Sequence, residues 1–247
     1  MITAHKKLKK ELEKHGNEYI LFIFSLIVPA IICLFALNAF LRITEGVQAD
    51  ELVQFDDRVF EFVHSYRTEN FTRFVTFITD MGDIWAYLVI IPTIAIILYF
   101  RSHQRWKLAL QATIVLASAF ALNVAIKHLI GRDRPLEELR LVTAHSYSFP
   151  SGHSMSAIAF YGFLIYLTYK YVENTALKIF LIIIQTALIL GIGLSRVYLG
   201  VHFPTDVAAG FIAGFIWLII CIIAFNFVNL YRKQRARRKG LNPHSDK

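Results

Sequence analysis

Tyr147-Ser-Phe-Pro-Ser-Gly-His153 interrupts a strongly apolar chain and opens one of its long hydrophobic runs. A Pro-Ser-Gly-His sequence at the start of an apolar helix places Ser151 at the cap, with unpaired backbone N–H groups and the positive end of the helix dipole facing out. Gly152 lets an anion approach the backbone closely. A plain helix start is the simpler alternative, and the neighbouring cations decide against it. Two further polar stretches break the hydrophobic sequence. Lys127-His-Leu-Ile-Gly-Arg-Asp-Arg134-Pro135 lies ahead, and Ser195-Arg196-Val-Tyr-Leu-Gly-Val-His202-Phe-Pro-Thr-Asp206 lies behind. Read together, the three stretches form one phosphate site.

Around these islands the chain is membrane protein. Of its 247 residues 56% are hydrophobic, and the apolar residues come in long runs rather than in helical stripes. Cys33 and Cys221 both sit inside such runs, so no disulfide framework or cysteine metal site is readable. The formal charge of +8 gathers at the two ends of the chain, where membrane topology accounts for it and nucleic acid need not be invoked.

The spacing predicts an all-α polytopic membrane protein with six crossings: Tyr19 to Leu41, Trp85 to Phe100, Trp106 to Ile130, His153 to Tyr169, Ala176 to Leu194 and Thr205 to Phe227. The first is too long for a cleaved signal peptide. Between the first two, over Arg42 to Asp80, Leu52, Phe55, Val59, Phe62 and Tyr66 recur at helical spacing, as do Phe71, Phe74, Val75 and Ile78. That pattern predicts two amphipathic helices on the membrane surface. Asn70-Phe-Thr72 matches a glycosylation sequon, a pattern too short to carry weight. Gly210 and Gly214, with Gly191 and Gly193, read as close-packing positions on the last two helices.

Basic residues set the orientation. Lys6, Lys7, Lys9, Lys10 and Lys14 precede the first crossing, Arg101, Arg105 and Lys107 follow the second, Lys170 and Lys178 flank the fourth, and Arg232 to Lys239 follow the sixth. All fall on one face, which makes it cytoplasmic and sends the polar islands to the outer face. The chain divides into a basic amino-terminal segment 1–18, a six-helix membrane domain 19–230 and a basic tail 231–247, with both termini cytoplasmic.

Lys127, Arg132, Arg134 and Arg196 lie on that outer face against the prevailing charge bias, so they call for an anionic partner, and phosphate suits both guanidinium and ammonium groups. Pro204 fits the first turn of the last helix, which puts His202 just before it and Asp206 within it. A carboxylate on one ring nitrogen fixes the tautomer and frees the other nitrogen to attack phosphorus, so His202 reads as a nucleophile. His128, His145, His153 and His202 form no recognisable metal-ligand pattern, and no metal or other cofactor is expected.

The three islands resemble the signature motifs of the type-2 phosphatidate phosphatase superfamily: Lys-x6-Arg-Pro, Pro-Ser-Gly-His and Ser-Arg-x5-His-x3-Asp. Lys127 to Pro135, Pro150 to His153 and Ser195 to Asp206 match without substitution at a defining position. The layout is similar to the integral-membrane lipid phosphatases of that family. The resemblance implies that His202 forms a phosphohistidine, Asp206 orients it, and His153 is the general acid. Lys127, Arg134, Ser151, Gly152 and Arg196 are then the groups that hold the phosphoryl oxygens. The expected substrate is a lipid phosphate or diphosphate of the outer leaflet, undecaprenyl pyrophosphate or phosphatidylglycerol phosphate for a bacterial source. A phosphotransferase using a lipid or sugar acceptor, or a non-catalytic anion-binding or transport protein, would carry the same cluster. The orientation is testable in intact cells: Leu139→Cys should react with an impermeant thiol reagent and Ser102→Cys should not, and the reverse pattern would place the site on the cytoplasmic face.

Overall fold

The computed structural model describes residues 26–101 and 106–238, and every regular element among them is helical. In chain order they are α1 (Leu26–Gln48), α2 (Val53–His64), α3 (Glu69–Asp80), α4 (Ile84–Arg101), α5 (Trp106–Ile130), a 3₁₀ turn at Glu137–Leu139, α6 (Gly152–Tyr171), α7 (Thr175–Tyr198) and α8 (Pro204–Arg238). The basic segment 1–18 and the start of the expected first crossing lie outside the described residues. The described part of that crossing continues through Gln48, so Arg42 is helical and its Nε donates to Asn38 Oδ1 at 3.0 Å. At the other end α8 is unbroken past residue 230, to Arg238.

By length and composition α1, α5, α7 and α8 can each cross a membrane. A fifth span appears if α3 and α4, bent by 54° at the short break between them, are counted together. The expected six are more than this supports: α4 counts only together with α3, and α6 falls short. Its position explains why. α6 packs against α5, α7 and α8 and buries Ser154, Ser156 and Thr168 among its apolar side chains. A helix shielded from lipid by its neighbours does not need the hydropathy of a lipid-facing one.

The helices α2 and α3 form where the apolar spacing puts them, but the inward side of α2 is mixed, with Asp56 buried beside Phe60 and Val63 packed next to them. Phe55, Phe62 and Tyr66 are 53%, 64% and 59% exposed, whereas Asp56 and Phe60 are buried. Thr68 caps α3, its hydroxyl accepting from the Phe71 N–H at 3.4 Å. Thr72 of the sequon match sits in this helix, with Oγ1 2.9 Å from the Tyr198 hydroxyl of α7.

Close backbone approach holds α8 on α6. A Cβ on Gly210 would stand 2.6 Å from the Ser151 carbonyl oxygen, and one on Gly214 would stand 2.6 Å from that of Met155. Between helices in a membrane, packing of this kind replaces the hydrophobic driving force available in water. The contact also sets the height of the α6 amino terminus against α8. Gly214→Val should therefore lower stability in detergent by about 1–3 kcal/mol, the usual cost of overpacking, and a thermal melt unchanged from wild type would show that the helices can separate freely.

Candidate active site

The carboxy-terminal ends of α5 and α7 and the amino-terminal ends of α6 and α8 meet at one end of the bundle, which brings the three polar islands together. The turn from α7 into α8 is made by Gly200 at φ +76°, and the Arg196 carbonyl accepts the N–H groups of Val201 at 3.1 Å and His202 at 3.2 Å. A left-handed glycine just past a helix end reverses the chain in this way. His202 is thereby carried back beneath the site, and Pro204 begins α8 as its position in the sequence implies.

Asp206 organises the centre. Its Oδ2 accepts the Phe203 N–H at 2.8 Å, a third-position side chain reaching back to the cap of its own helix. The same oxygen accepts from the Ser148 hydroxyl and lies 3.4 Å from His202 Nδ1. Oδ1 accepts from Arg132 Nη1 at 2.6 Å. Four donors around a fully buried carboxylate solvate its charged form. His202 Nε2 faces Arg134 Nη1 at 3.2 Å; an arginine can only donate, so this nitrogen carries the lone pair and Nδ1 carries the proton directed at Asp206. Burial pushes the His202 imidazole down to about 3, against the pull of Asp206, so the ring is neutral near pH 7.

Arg134 also donates to the carbonyls of Val201 at 2.6 Å and Ser146 at 2.5 Å. Lys127 reaches the carbonyls of Tyr147 and Ser148, which fastens the loop ahead of α6 to α5. Ser151 caps α6: its Oγ accepts from the Ser154 N–H at 3.4 Å and the Ser154 hydroxyl at 2.9 Å. Its own N–H donates to the Asp206 carbonyl at 2.9 Å. The N–H groups of Gly152 and His153 fall in the first turn, where a helix supplies no acceptor. Asn123 of α5 donates to the Pro150 carbonyl at 3.2 Å, and its Oδ1 would be 2.9 Å from a Cβ on Gly152, so a side chain there would be crowded. Arg196 is buried, with Nη1 donating to Thr79 at 2.8 Å and Nε lacking any partner among the described residues.

His153 turns toward the α3–α4 junction, where its Nε2 is 2.6 Å from Asp83 Oδ1. Arg132, counted at first among the anion-facing cations, faces inward: besides Asp206 it pairs with Asp56 of α2 at 2.7 Å and lies 4.3 Å from the Phe203 ring centre. Asp56 accepts in addition from the Thr205 N–H at 3.0 Å and hydroxyl at 2.6 Å. Asp56, Asp83, Ser148 and Asn123 are thus partners that motif reading passed over. Among the described residues no three His, Cys, Asp or Glu side chains are grouped to hold a metal ion. A cavity of about 720 Å³ adjoins Lys127 and Arg134, and its lining includes Phe120 and Val124 as well as His128, Arg140, His145 and Tyr147.

A neutral histidine between a carboxylate and an arginine, beside a capped helix start and further cations, has the chemistry that phosphoryl transfer requires. The PAP2 superfamily model matches residues 108–229, which contain all three islands. The chain is 32% identical over 176 residues to phosphatidylglycerophosphatase B of Bacillus subtilis (strain 168), covering 71% of this chain and 85% of that one. It is also 32% identical over 139 residues to a putative undecaprenyl-diphosphatase of Escherichia coli (strain K12), covering 52% of this chain and 63% of the relative. The crystal structure of a transmembrane PAP2-type phosphatidylglycerolphosphate phosphatase from Bacillus subtilis superposes with a TM-score of 0.73 at 28% identity, over 79% of this chain and 96% of that one. The chain belongs to the PAP2 superfamily. It is a multi-pass membrane protein and an enzyme of the phosphatase class.

The Asp56–Arg132–Asp206 chain should bear on stability as well as on the site. Asp56→Ala leaves Arg132 with one carboxylate fewer in a nearly dry setting, and breaking a buried pair costs about 3–5 kcal/mol. A thermal melt of the variant in detergent measures this, and a loss below about 1 kcal/mol would mean that water reaches Arg132 as it does a surface pair.

Proposed function

We propose that the chain hydrolyses the phosphate ester or diphosphate of an outer-leaflet lipid without a metal ion, through a phosphohistidine on His202. The observation that carries this reading is the setting of the His202 ring, with Asp206 at 3.4 Å from Nδ1 and Arg134 at 3.2 Å from Nε2. The Nε2 lone pair attacks phosphorus while the bond from phosphorus to the lipid or leaving-phosphate oxygen breaks. His153 gives that oxygen its proton. Water then attacks the phosphohistidine and returns a proton to His153, and phosphate departs with His202 restored. Lys127, Arg134, Arg196, Ser151 and Gly152 supply the charge and backbone donors for the phosphoryl oxygens as negative charge builds on them. The unpartnered Nε of Arg196 supports that assignment.

Six crossings, α1 and α4 to α8, fit this function, with α2 and α3 lying on the outer surface. Chain direction supports the count. Lys127 near the end of α5 and Arg196 near the end of α7 lie at the same end, and a crossing by α6 away from that end, followed by the return of α7, accounts for this. Val47, late in α1, packs with Phe149 at the same end, which supports a crossing by α4 before α5 begins. The membrane domain is then 19–230, with the basic segments 1–18 and 231–247 cytoplasmic.

Two lipid classes fit: phosphatidylglycerol phosphate and undecaprenyl pyrophosphate, the substrates named for the relatives. The cavity beside Lys127 and Arg134, whose lining combines apolar Phe120 and Val124 with cationic Lys127, Arg134 and Arg140, suits a phosphate carried on a hydrocarbon chain. A phosphate-release panel over these lipids and phosphatidate separates them, and activity should survive EDTA. The two histidines should fail differently. His202→Ala removes the attacking atom and should abolish acid-quench trapping of phosphoenzyme with every substrate. His153→Ala should lose about 10²- to 10⁴-fold on a lipid ester and much less on an aryl phosphate whose phenol leaves without a proton. Covalent trapping by His202→Ala, or rescue of that variant by the aryl ester, would overturn the roles.

A further inference from the structure

The α3–α4 junction holds a residue that none of the three motifs contains. Thr79, Asp80, Gly82 and Asp83 crowd one side of the site: Thr79 accepts from Arg196, Asp83 meets His153, and a Cβ on Gly82 would stand 3.2 Å from His153 Cδ2. The charged groups facing His153 are Asp83 and Asp80 from this junction, Arg196 from α7 and Arg134 from the loop after α5. The contact of 2.6 Å between Asp83 Oδ1 and His153 Nε2 is the one hydrogen bond to the ring, and Nδ1 has no partner among the described residues.

Resting on the reading of His153 as general acid, we propose that Asp83 is a positioning residue that holds His153 by Nε2 and leaves Nδ1 as the atom exchanging protons with substrate. In the imidazolium both nitrogens carry hydrogen. As the bond from phosphorus to the leaving oxygen breaks, the Nδ1 proton passes to that oxygen, while the Nε2 proton stays on its hydrogen bond to Asp83. The neutral ring then offers the Nδ1 lone pair to the attacking water and takes its proton, which restores the imidazolium. Two arginines near the ring oppose its positive charge, and Asp83 offsets them. The bond also holds the Asp83 carboxyl below the usual carboxylate range despite partial burial.

A purely structural ion pair explains the contact less well. The Asp83 side chain is 43% exposed, and pairs that open to solvent contribute little to stability. Gly82 beside it is buried, with room for no larger side chain without displacing Ile192 or His153, which suits a backbone shaped to bring Asp83 onto the ring.

The test compares wild type, Asp83→Asn, Asp83→Glu and His153→Ala, each as the full chain in detergent. Substrates are a lipid phosphate and an aryl phosphate with an acidic phenol, and the readouts are kcat, KM, pH profile and phosphoenzyme trapping. Asp83→Asn should lower kcat on the lipid by roughly 10- to 100-fold, within the about 10²- to 10⁴-fold that a general acid supplies, with KM little changed. The aryl ester should recover most of the loss, and Asp83→Glu part of it. Without the carboxylate the imidazolium is less favoured, so the alkaline limb of kcat should move to lower pH. Equal losses on both substrates, an unmoved alkaline limb, or an effect confined to KM would overturn the inference. Its failure is separable from that of the parent reading. If His153→Ala shows the leaving-group dependence and Asp83→Asn does not, only the role of Asp83 falls; if His153→Ala shows none, His153 is not the acid.

Discussion

One buried carboxylate ties the site end of the bundle together. Asp206 is fully buried, and a carboxylate in that position is tolerable only because donors from two parts of the chain replace its water: Arg132 and Ser148 from the long loop, His202 and the Phe203 N–H from the α7–α8 turn. Each donor is in turn fixed by what it serves. Arg132 cannot leave without stranding Asp56, and Asp56 also secures the first turn of α8 through Thr205. The carboxylate that fixes the tautomer of His202 is therefore also the point at which α2, the loop and α8 lock, and folding of this end and readiness for chemistry are a single event.

The membrane inverts the usual relation between apolarity and burial. α1, α5, α7 and α8 pass a test of apolar length, and α6, the most enclosed of the long helices, does not. In water the most buried helix is the most apolar, because burial is what removes hydrocarbon from water. In a bilayer the lipid is as apolar as any core, so a central helix is selected for close packing and inward polarity. Gly210 and Gly214 on α8 serve the first need, and Ser154 and Ser156 on α6 accompany the second. The same setting suits α2, where Phe55 and Phe62 face outward while Asp56 is buried beside Phe60.

This sets how much was legible from sequence. The three islands were, because each packs its chemistry into a few residues at a helix end, where spacing translates directly into geometry: Pro204 did begin α8, and Ser151 did cap α6. The long helices were also legible, to within a turn at most ends. What escaped was everything delivered by tertiary packing across the chain. Asp56 stands 150 residues before Asp206, and Asp83 stands 70 before His153; each looked like an ordinary polar residue between hydrophobic stripes. Arg132 was misjudged for the same reason. It shares a segment with Arg134, and only the position of α2 shows that one arginine turns to Asp206 and Asp56 while the other turns to His202. A carboxylate inside an amphipathic stripe was the available signal for Asp56, and it cannot be weighed until the facing helix is known.

The two histidines have unlike partners, and the difference suits the unequal tasks proposed for them. Asp206 holds His202 inside the protein, among fixed donors and with no exposure to solvent, and burial keeps the ring neutral. A nucleophile needs that arrangement, because its lone pair must be present before substrate arrives and its direction must not drift. Asp83 holds His153 from a bent junction with nearly half of its own side chain exposed. An acid that must also act as a base changes charge twice in each cycle, and a partly solvated partner adjusts to both states, whereas a sealed one would favour a single state and stall the other half of the reaction. On the proposed roles, the difference in burial between the two carboxylates is the physical basis for assigning attack to one histidine and proton transfer to the other.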